Sequence, residues 1–140
     1  MMRSLLAVIA GIGLGAVGMA AVEHAGHGGV RTIAERDIAE KLDGKDSKVS
    51  FVEVSLEPGE ANAPHRHPGP VFGYVLEGEF EWAINQEPAK VFKTGDTFYE
   101  PAGCLHRVSK SAAKKGKTRV VAVIVYPRDA KGYVIPEPAK

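Results

Sequence analysis

Hydrophobic and polar positions alternate along short stretches of the chain, and most of these stretches lie after position 48. Phe80, Trp82 and Ile84 are separated by Glu81 and Ala83, so the largest apolar side chains occupy every second position. A period of two is the spacing of side chains on one face of a β-strand. The pattern therefore predicts strands with one buried face in this part of the chain.

Similar runs recur along the remainder of the chain, separated by turn residues. Glycine and proline are frequent, with 16 and 9 copies, and they bound most of the runs. Further strands are predicted over residues 49–56, 71–76, 91–92, 97–99, 105–108, 119–126 and 132–135. Many short strands joined by tight turns predict an all-β, antiparallel architecture, closed or sandwiched, over residues 48–136.

The first 20 residues differ from the rest in composition. A basic start at Arg3 precedes an uncharged, glycine-rich apolar run over residues 5–22, and small residues stand at Gly18 and Ala20. This arrangement is typical of a secretory signal peptide, residues 1–20, cleaved after Ala20. An uncleaved membrane anchor is the alternative, because the apolar run is nearly long enough to span a bilayer. We therefore expect a periplasmic or secreted protein, in contact with a membrane only if this segment is retained.

The segments that flank the predicted β-domain carry weaker signals. Residues 21–47 are predicted to form a flexible N-terminal arm, and residues 137–140 a short tail. Within the arm, residues 32–42 fit either a short helix or an extended segment, since their large apolar residues allow a helix that nothing caps.

Charge and cysteine content exclude several classes of protein. The chain has 18 lysine and arginine residues against 17 aspartate and glutamate residues, which gives a net charge of +1. This balance argues against a nucleic-acid partner. Cys104 is the only cysteine, so the chain can form neither an internal disulfide nor a cysteine-cluster zinc site. We interpret Cys104 as a small core residue.

Three histidines in the predicted β-domain are candidates for metal ligands. His65 and His67 are two positions apart, so on a strand both side chains point to the same face. His106 follows a turn with Pro101 and Gly103. Three imidazoles from adjacent strands could hold one divalent transition metal and leave other coordination positions open for a substrate.

The two stretches that carry these histidines resemble the two sequence motifs of the cupin superfamily. Gly59, His65, His67 and Gly78 match the first motif, whereas Gly95, Pro101, Gly103 and His106 match the second. The resemblance implies a double-stranded β-helix, or jelly-roll barrel, over most of the chain. It also implies a homodimer, as is common for single-domain members. It does not choose a function, because this fold carries many activities.

The chain departs from the family pattern at two motif positions. The glutamate of the first motif should fall at Val71 or Phe72, and the asparagine that closes the second motif should fall at Lys110. Two interpretations follow. In the first, the metal centre has three histidine ligands and no carboxylate, as in some cupin dioxygenases. In the second, a carboxylate from another position of the chain completes the ligand set.

Glu100 is the candidate for that carboxylate. It shares a predicted strand face with Phe98, at a position where the second motif normally carries an apolar residue. A buried carboxylate must find a cation or take up a proton. We expect Glu100 to act as a fourth metal ligand, an orienting group or a catalytic general base. The alternative is a salt bridge to Arg66 or Arg107 at the mouth of the barrel.

These observations lead to a functional hypothesis. We expect a metal-dependent oxidoreductase of the dioxygenase type that acts on a small organic substrate, with Fe²⁺ favoured and Mn²⁺, Ni²⁺, Cu²⁺ and Zn²⁺ also compatible with imidazole ligands. A non-catalytic cupin that binds or senses a metal or small ligand is the alternative, followed by a metal-assisted isomerase. Tyr74, Tyr99 and Trp82 are candidates either for the substrate pocket or for the core.

Overall fold

A computed structural model describes residues 29–138, and within this range the chain forms ten β-strands and no α-helix. The predicted signal peptide, residues 21–28 of the predicted arm and the last two residues of the tail lie outside the described residues. No helix in the described range is long and apolar enough to cross a membrane. The strands are β1 (Val30–Leu42), β2 (Lys45–Leu56), β3 (His65–Arg66), β4 (Val71–Glu77), β5 (Glu79–Ile84), β6 (Lys90–Lys93), β7 (Thr97–Glu100), β8 (Leu105–Ser111), β9 (Thr118–Pro127) and β10 (Ile135–Pro136).

The strands form two five-stranded sheets that face each other. The first sheet has the order β1-β2-β9-β4-β7, and the second has the order β10-β3-β8-β5-β6. Every paired strand runs antiparallel to its neighbour. Because strands that are distant in the sequence lie side by side, the chain winds repeatedly between the two sheets. This arrangement confirms the predicted all-β, double-stranded β-helix.

The N-terminal boundary of the barrel differs from the one expected from the sequence. Residues Val30–Leu42, which were expected to lie in a flexible arm, form β1 and pair along the length of β2. A tight turn connects the two strands, with positive φ angles at Asp43 (50°) and Gly44 (77°). The first sheet therefore begins at Val30 rather than near position 48. Backbone pairing with β2 stabilises this strand even though its own apolar pattern is weak.

The hydrophobic core fills the space between the sheets. On β9, Val120 and Ile124 point inward and are 1% exposed, whereas the residues between them are partly exposed. Two clusters of buried side chains result, one containing Leu56, Val75, Phe80, Trp82, Ile84, Phe98, Cys104 and Val120, and the other Val52, Val71, Ile124 and Tyr126. Burial raises the pKa of the Cys104 thiol to about 11, so this cysteine is a neutral part of the core.

Candidate metal centre

Strand pairing in the second sheet brings the three histidines together. His65 on β3 is the direct cross-strand partner of His106 on β8. His67 lies two residues after His65 and is 7% exposed. The nearest ring nitrogens of the three residues all lie within 4.8 Å of one another. The spacing of His65 and His67 thus has the predicted effect, and the β3–β8 pairing supplies the third imidazole.

Backbone carbonyl groups orient two of the three imidazole rings. Nδ1 of His65 lies 2.8 Å from the carbonyl oxygen of Ala63, and Nδ1 of His67 lies 2.6 Å from that of Tyr133. A carbonyl oxygen can only accept a hydrogen bond, so each Nδ1 carries the proton and donates it. The Nε2 atom of each ring is therefore left with a free lone pair, which is the form that binds a metal ion.

Within the described range, His106 differs from the other two histidines in having no hydrogen bond to its ring nitrogens. Its side chain is buried, and neither of its ring nitrogens has a hydrogen-bond partner among the described residues. Burial lowers the pKa of His106 to about 3 and that of His67 to about 4, and it also lowers the pKa of His65. The three imidazoles are thus neutral at neutral pH, as metal ligands must be.

Glu100 lies beside these imidazoles; it is the last residue of β7, and its side chain points into the barrel. It is 1% exposed, and its Oε1 and Oε2 atoms lie 3.2 Å from Nδ1 of His106 and 3.7 Å from Nε2 of His67, respectively. The indole Nε1 of Trp82 donates a hydrogen bond of 2.9 Å to Oε1, whereas Oε2 has no hydrogen-bond partner in the described part of the chain. Burial raises the pKa of Glu100 to about 7, although the Trp82 hydrogen bond opposes this effect.

The predicted alternative, a salt bridge from Glu100 to an arginine, is not formed. Arg66 pairs with Glu137 and donates to the carbonyl oxygen of Gly103. Arg107 donates instead to backbone carbonyl oxygens in the loop after β5. Glu100 is therefore left with two histidines and a tryptophan as its polar neighbours.

The donor set fits a divalent transition metal. The buried side-chain atoms that lack a hydrogen-bond partner within residues 29–138 are Oε2 of Glu100 and both ring nitrogens of His106, and Nδ1 of His106 lies 3.2 Å from the other oxygen of the same carboxylate. Native proteins rarely leave such groups unpaired, because each costs about 1–3 kcal/mol. A cation bound among neutral imidazoles and a carboxylate would satisfy Oε2 of Glu100 and one of the two ring nitrogens of His106.

A cavity of about 500 Å³ adjoins the histidines and Glu100. Inward-facing aliphatic side chains of the first sheet form much of its wall, and residues of the C-terminal segment cover its other side. The centre is thus buried next to a space that is large enough for a small organic molecule.

Comparison with known proteins gives the family. The sequence matches the profile described as "Cupin domain" over residues 52–124, which is more than half of the chain. This protein is a cupin. It is 32% identical over 110 residues to germin-like protein 3-5 of Oryza sativa subsp. japonica, a match that covers 73% of this chain and 47% of the relative. The chain therefore spans about half the length of the curated relatives that it matches.

Solved structures support the same fold. A protein with a double-stranded β-helix domain from Klebsiella pneumoniae is 22% identical and has a TM-score of 0.59, with 82% of this chain and 90% of that chain covered. A recombinant oxalate oxidase in complex with glycolate is 25% identical and has a TM-score of 0.57, with 80% of this chain and 57% of that chain covered. The family and the three-histidine cluster together suggest a divalent metal in this cupin.

The aromatic residues that were candidates for the pocket lie in different places. Trp82 belongs to the buried core and contacts Glu100 through its indole nitrogen. Tyr74 and Tyr99 point away from the barrel interior and are 45% and 52% exposed on the outer face of the first sheet. These two tyrosines therefore belong neither to the core nor to the cavity of the cupin.

Sequence reasoning missed two groups that shape the centre. The carbonyl oxygen of Tyr133 holds His67, and the segment around it lines the cavity. A backbone carbonyl leaves no signal in the side-chain pattern, so this contact could not be read from the sequence. The hydrogen bond from Trp82 to Glu100 was also missed, although the alternation in β5 correctly predicts that Trp82 points inward.

Proposed function

We propose that this cupin is a metal-dependent oxidoreductase of the dioxygenase type that acts on a small organic substrate. In this proposal His65, His67, His106 and Glu100 hold one divalent transition metal, with Fe²⁺ favoured over Mn²⁺, Ni²⁺, Cu²⁺ and Zn²⁺. One observation carries the proposal: a fully buried carboxylate with an unpaired oxygen atom lies against two of three neutral imidazoles.

The position of Glu100 explains why the first motif can lack its glutamate. Val71 is the inward-facing one of the two residues at which the glutamate of that motif was expected, it is the direct cross-strand partner of Glu100, and both side chains are 1% exposed. Directly opposed residues on antiparallel strands have Cβ atoms about 4.5–5.5 Å apart on the same face of the sheet. A carboxylate on β7 can therefore occupy the space that a carboxylate on β4 would otherwise reach.

The surroundings of Glu100 favour a ligand over a free acid. Burial of a carboxylate is costly unless a cation or hydrogen-bond donors compensate it, and the only donor among the described residues is the indole of Trp82. That hydrogen bond holds Oε1 and leaves Oε2 on the side of His67. An orienting hydrogen bond to one oxygen of a ligating carboxylate is a frequent feature of metal sites.

A divalent transition metal bound at these residues would supply Lewis-acid and redox chemistry. The chain itself contributes three neutral imidazoles, a carboxylate that could also accept a proton at Oε2, and a mainly apolar cavity beside them. The likeness to an oxalate oxidase supports the oxidoreductase class. Export from the cytoplasm and a homodimer belong to this proposal as predictions, since they rest on the N-terminal sequence and on the family resemblance.

The ligand role of Glu100 is tested by exchanging the carboxylate between the two strands. Glu100→Gln keeps the acceptor for Trp82 but removes the charge, and we expect it to weaken metal binding at least about tenfold in a competition titration. The double variant Val71→Glu/Glu100→Val moves the carboxylate to β4 and should restore most of the lost affinity. Glu81→Gln, on β5, is the matched control and should bind metal like the wild type.

The same variants separate a ligand from a proton-transfer group. Unchanged metal affinity in Glu100→Gln, with loss of activity alone, would show that Glu100 acts as a base and does not bind the metal. Activity is measured as oxygen uptake by the iron-loaded protein with thiols, diketones, phenols and flavonoids. The non-catalytic alternative predicts metal binding without oxygen uptake across this panel.

A further inference from the structure

From the lining of the cavity we infer that this cupin binds a small, mainly apolar molecule with a single polar head group, and that it discriminates against dicarboxylates. The inference rests on the proposed function in one respect, namely that the head group faces the metal. It concerns the class of substrate, which the family does not determine.

The wall of the cavity opposite the histidines is aliphatic. It is formed by alternate residues of β2 and β9, whose side chains point between the sheets: Val52, Val54, Val120, Ala122 and Ile124. Phe80 and Phe98 add aromatic surface on the flanks. A molecule that enters this space exchanges water for hydrocarbon contacts over most of its surface.

The polar side chains of the lining are few and already have partners. The Nδ2 atom of Asn62 donates to Oγ of Ser109 over 3.2 Å. The hydroxyl group of Tyr133 lies 3.3 Å from Oγ1 of Thr32, on β1. Beyond the histidines and Glu100, the hydroxyl group of Ser109 is the one buried hydrogen-bond donor among these groups, since it accepts from Asn62 and keeps its own proton. A single neutral hydroxyl group does not compensate the charge of a buried carboxylate.

The charges of the lining also limit the ligand. Within the described part of the chain, Lys131 is the one lysine or arginine of the lining, and its side chain is exposed. A divalent ion with three neutral imidazoles and one carboxylate carries a net charge of +1, which a single anionic head group neutralises. A second carboxylate would be buried among the valines without a cation, and this is costly.

The volume of the cavity limits the size of the ligand that it can hold. A volume of about 500 Å³ lies in the range of small-ligand pockets and accommodates a substituted ring or a branched aliphatic molecule. The predicted ligand is thus a compact hydrocarbon body with one oxygen-bearing group at the end that faces the histidines.

A matched pair of probes tests this preference on the full chain. 4-Methylbenzoate and terephthalate share the ring and one carboxylate, and they differ only in a methyl group or a second carboxylate at the far end. Calorimetric titration of the Zn²⁺-loaded protein should show that 4-methylbenzoate binds at least about tenfold more tightly than terephthalate. Equal or tighter binding of terephthalate would overturn the inference.

Two variants on the same strand locate the binding site. Ala122 faces the cavity, whereas its neighbour Val123 lies on the outer face of the first sheet. Ala122→Leu should weaken the binding of 4-methylbenzoate at least about tenfold by filling the cavity, and Val123→Leu should leave it unchanged. The comparison of the two probes on the wild type needs no variant, so a folding defect in Ala122→Leu would not prevent the test.

The metal-free protein separates this inference from the proposed function. Neutral 4-methylphenol should bind the chelator-treated wild type and bind Ala122→Leu at least about tenfold more weakly, because the cavity exists without the metal. If the protein retains no zinc, the proposed function fails, and the 4-methylphenol titration still decides whether the cavity binds a small apolar molecule with one polar group. If zinc is retained but terephthalate binds as well as 4-methylbenzoate, the inference fails and the metal centre stands.

Discussion

At the scale of single residues, the geometry of the centre depends on three hydrogen bonds, each of which fixes the tautomer or the orientation of one side chain. The carbonyl oxygens of Ala63 and Tyr133 choose the tautomers of His65 and His67, and the indole of Trp82 holds one oxygen of Glu100. These contacts do not require a bound ion. They hold the side chains of the two histidines and the glutamate in one orientation, so that their lone pairs have fixed directions. The donor set is thereby preorganised, which reduces the entropy lost when an ion binds.

Trp82 is therefore predicted to be a positioning residue for Glu100. Trp82→Phe keeps an aromatic ring in the core but removes the donor to Oε1, so we expect metal affinity to fall by about 10-fold or more in a competition titration. Phe92→Leu is the control, because Phe92 packs against Trp82 at 5.6 Å between ring centroids and has no polar group to offer the carboxylate. An equal loss of affinity in both variants would indicate general damage to the core instead.

At the scale of elements, β1 is attached to the barrel by polar contacts as well as by backbone pairing. Oε2 of Glu35 accepts hydrogen bonds from the hydroxyl groups of Tyr126 (2.8 Å) and Ser50 (3.1 Å), and Oε1 accepts one from Nζ of Lys48 (2.9 Å). Tyr126 is 1% exposed, so part of this network is shielded from water. The network explains why a strand with few apolar residues has a fixed place at the edge of the sheet.

This network predicts a pH dependence of stability. The hydrogen bond from Lys48 lowers the pKa of Glu35 below its ordinary value of 4.5, although burial partly opposes the effect. A carboxyl group whose pKa is lowered by folding contributes stability above its unfolded pKa and loses that contribution as the pH falls through its folded pKa. Urea unfolding of the wild type and Glu35→Gln at pH values on both sides of 4.5 should show a difference in free energy of unfolding that shrinks towards acid.

The control for this measurement is Glu40→Gln, an exposed change on the same strand. It should follow the wild type at every pH. A difference between the wild type and Glu35→Gln that grows as the pH falls would contradict the assignment, because it would mean that the folded state binds the proton of Glu35 more tightly than the unfolded state does.

At the scale of the whole molecule, the centre lies where the two sheets and the C-terminal segment meet. The second sheet supplies His65 and His106, and His67 directly follows β3 of that sheet. The first sheet supplies Glu100 and the aliphatic wall, and Tyr133 comes from the segment between β9 and β10. An ion at this position would link parts of the chain that are far apart in the sequence. Metal binding should therefore stabilise the entire barrel.

The thermal stability of the protein tests this expectation. A ligand that binds only the folded state, at a free concentration of about 100 times its Kd, stabilises it by about 2.7 kcal/mol. Addition of a chelator should thus lower the unfolding temperature of the metal-loaded wild type, measured by calorimetry. In the double variant His65→Ala/His106→Ala, which should retain no metal, the chelator should have no effect. Retention of about one equivalent of metal by that variant would refute the site.

The sequence by itself determined the local features of this protein. Alternation with a period of two, as in Phe80, Trp82 and Ile84, predicts which side chains point inward, because the pleat of a strand sets that period independently of its neighbours. The same spacing predicted that His65 and His67 lie on one side, and both belong to the histidine cluster, although β3 itself ends at Arg66. Two motifs in register then predicted the cupin barrel, which the structure and the family match confirm.

Only the tertiary structure decided how distant segments meet. The sequence is compatible with either a short helix or an extended arm over residues 32–42, and pairing with β2 makes Val30–Leu42 a strand. The opposition of Val71 and Glu100, the contact of Trp82 with that carboxylate and the carbonyl oxygen of Tyr133 behind His67 all join residues that lie far apart along the chain. Such contacts depend on strand register and on the packing of both sheets, which are properties of the complete fold and have no period in the sequence.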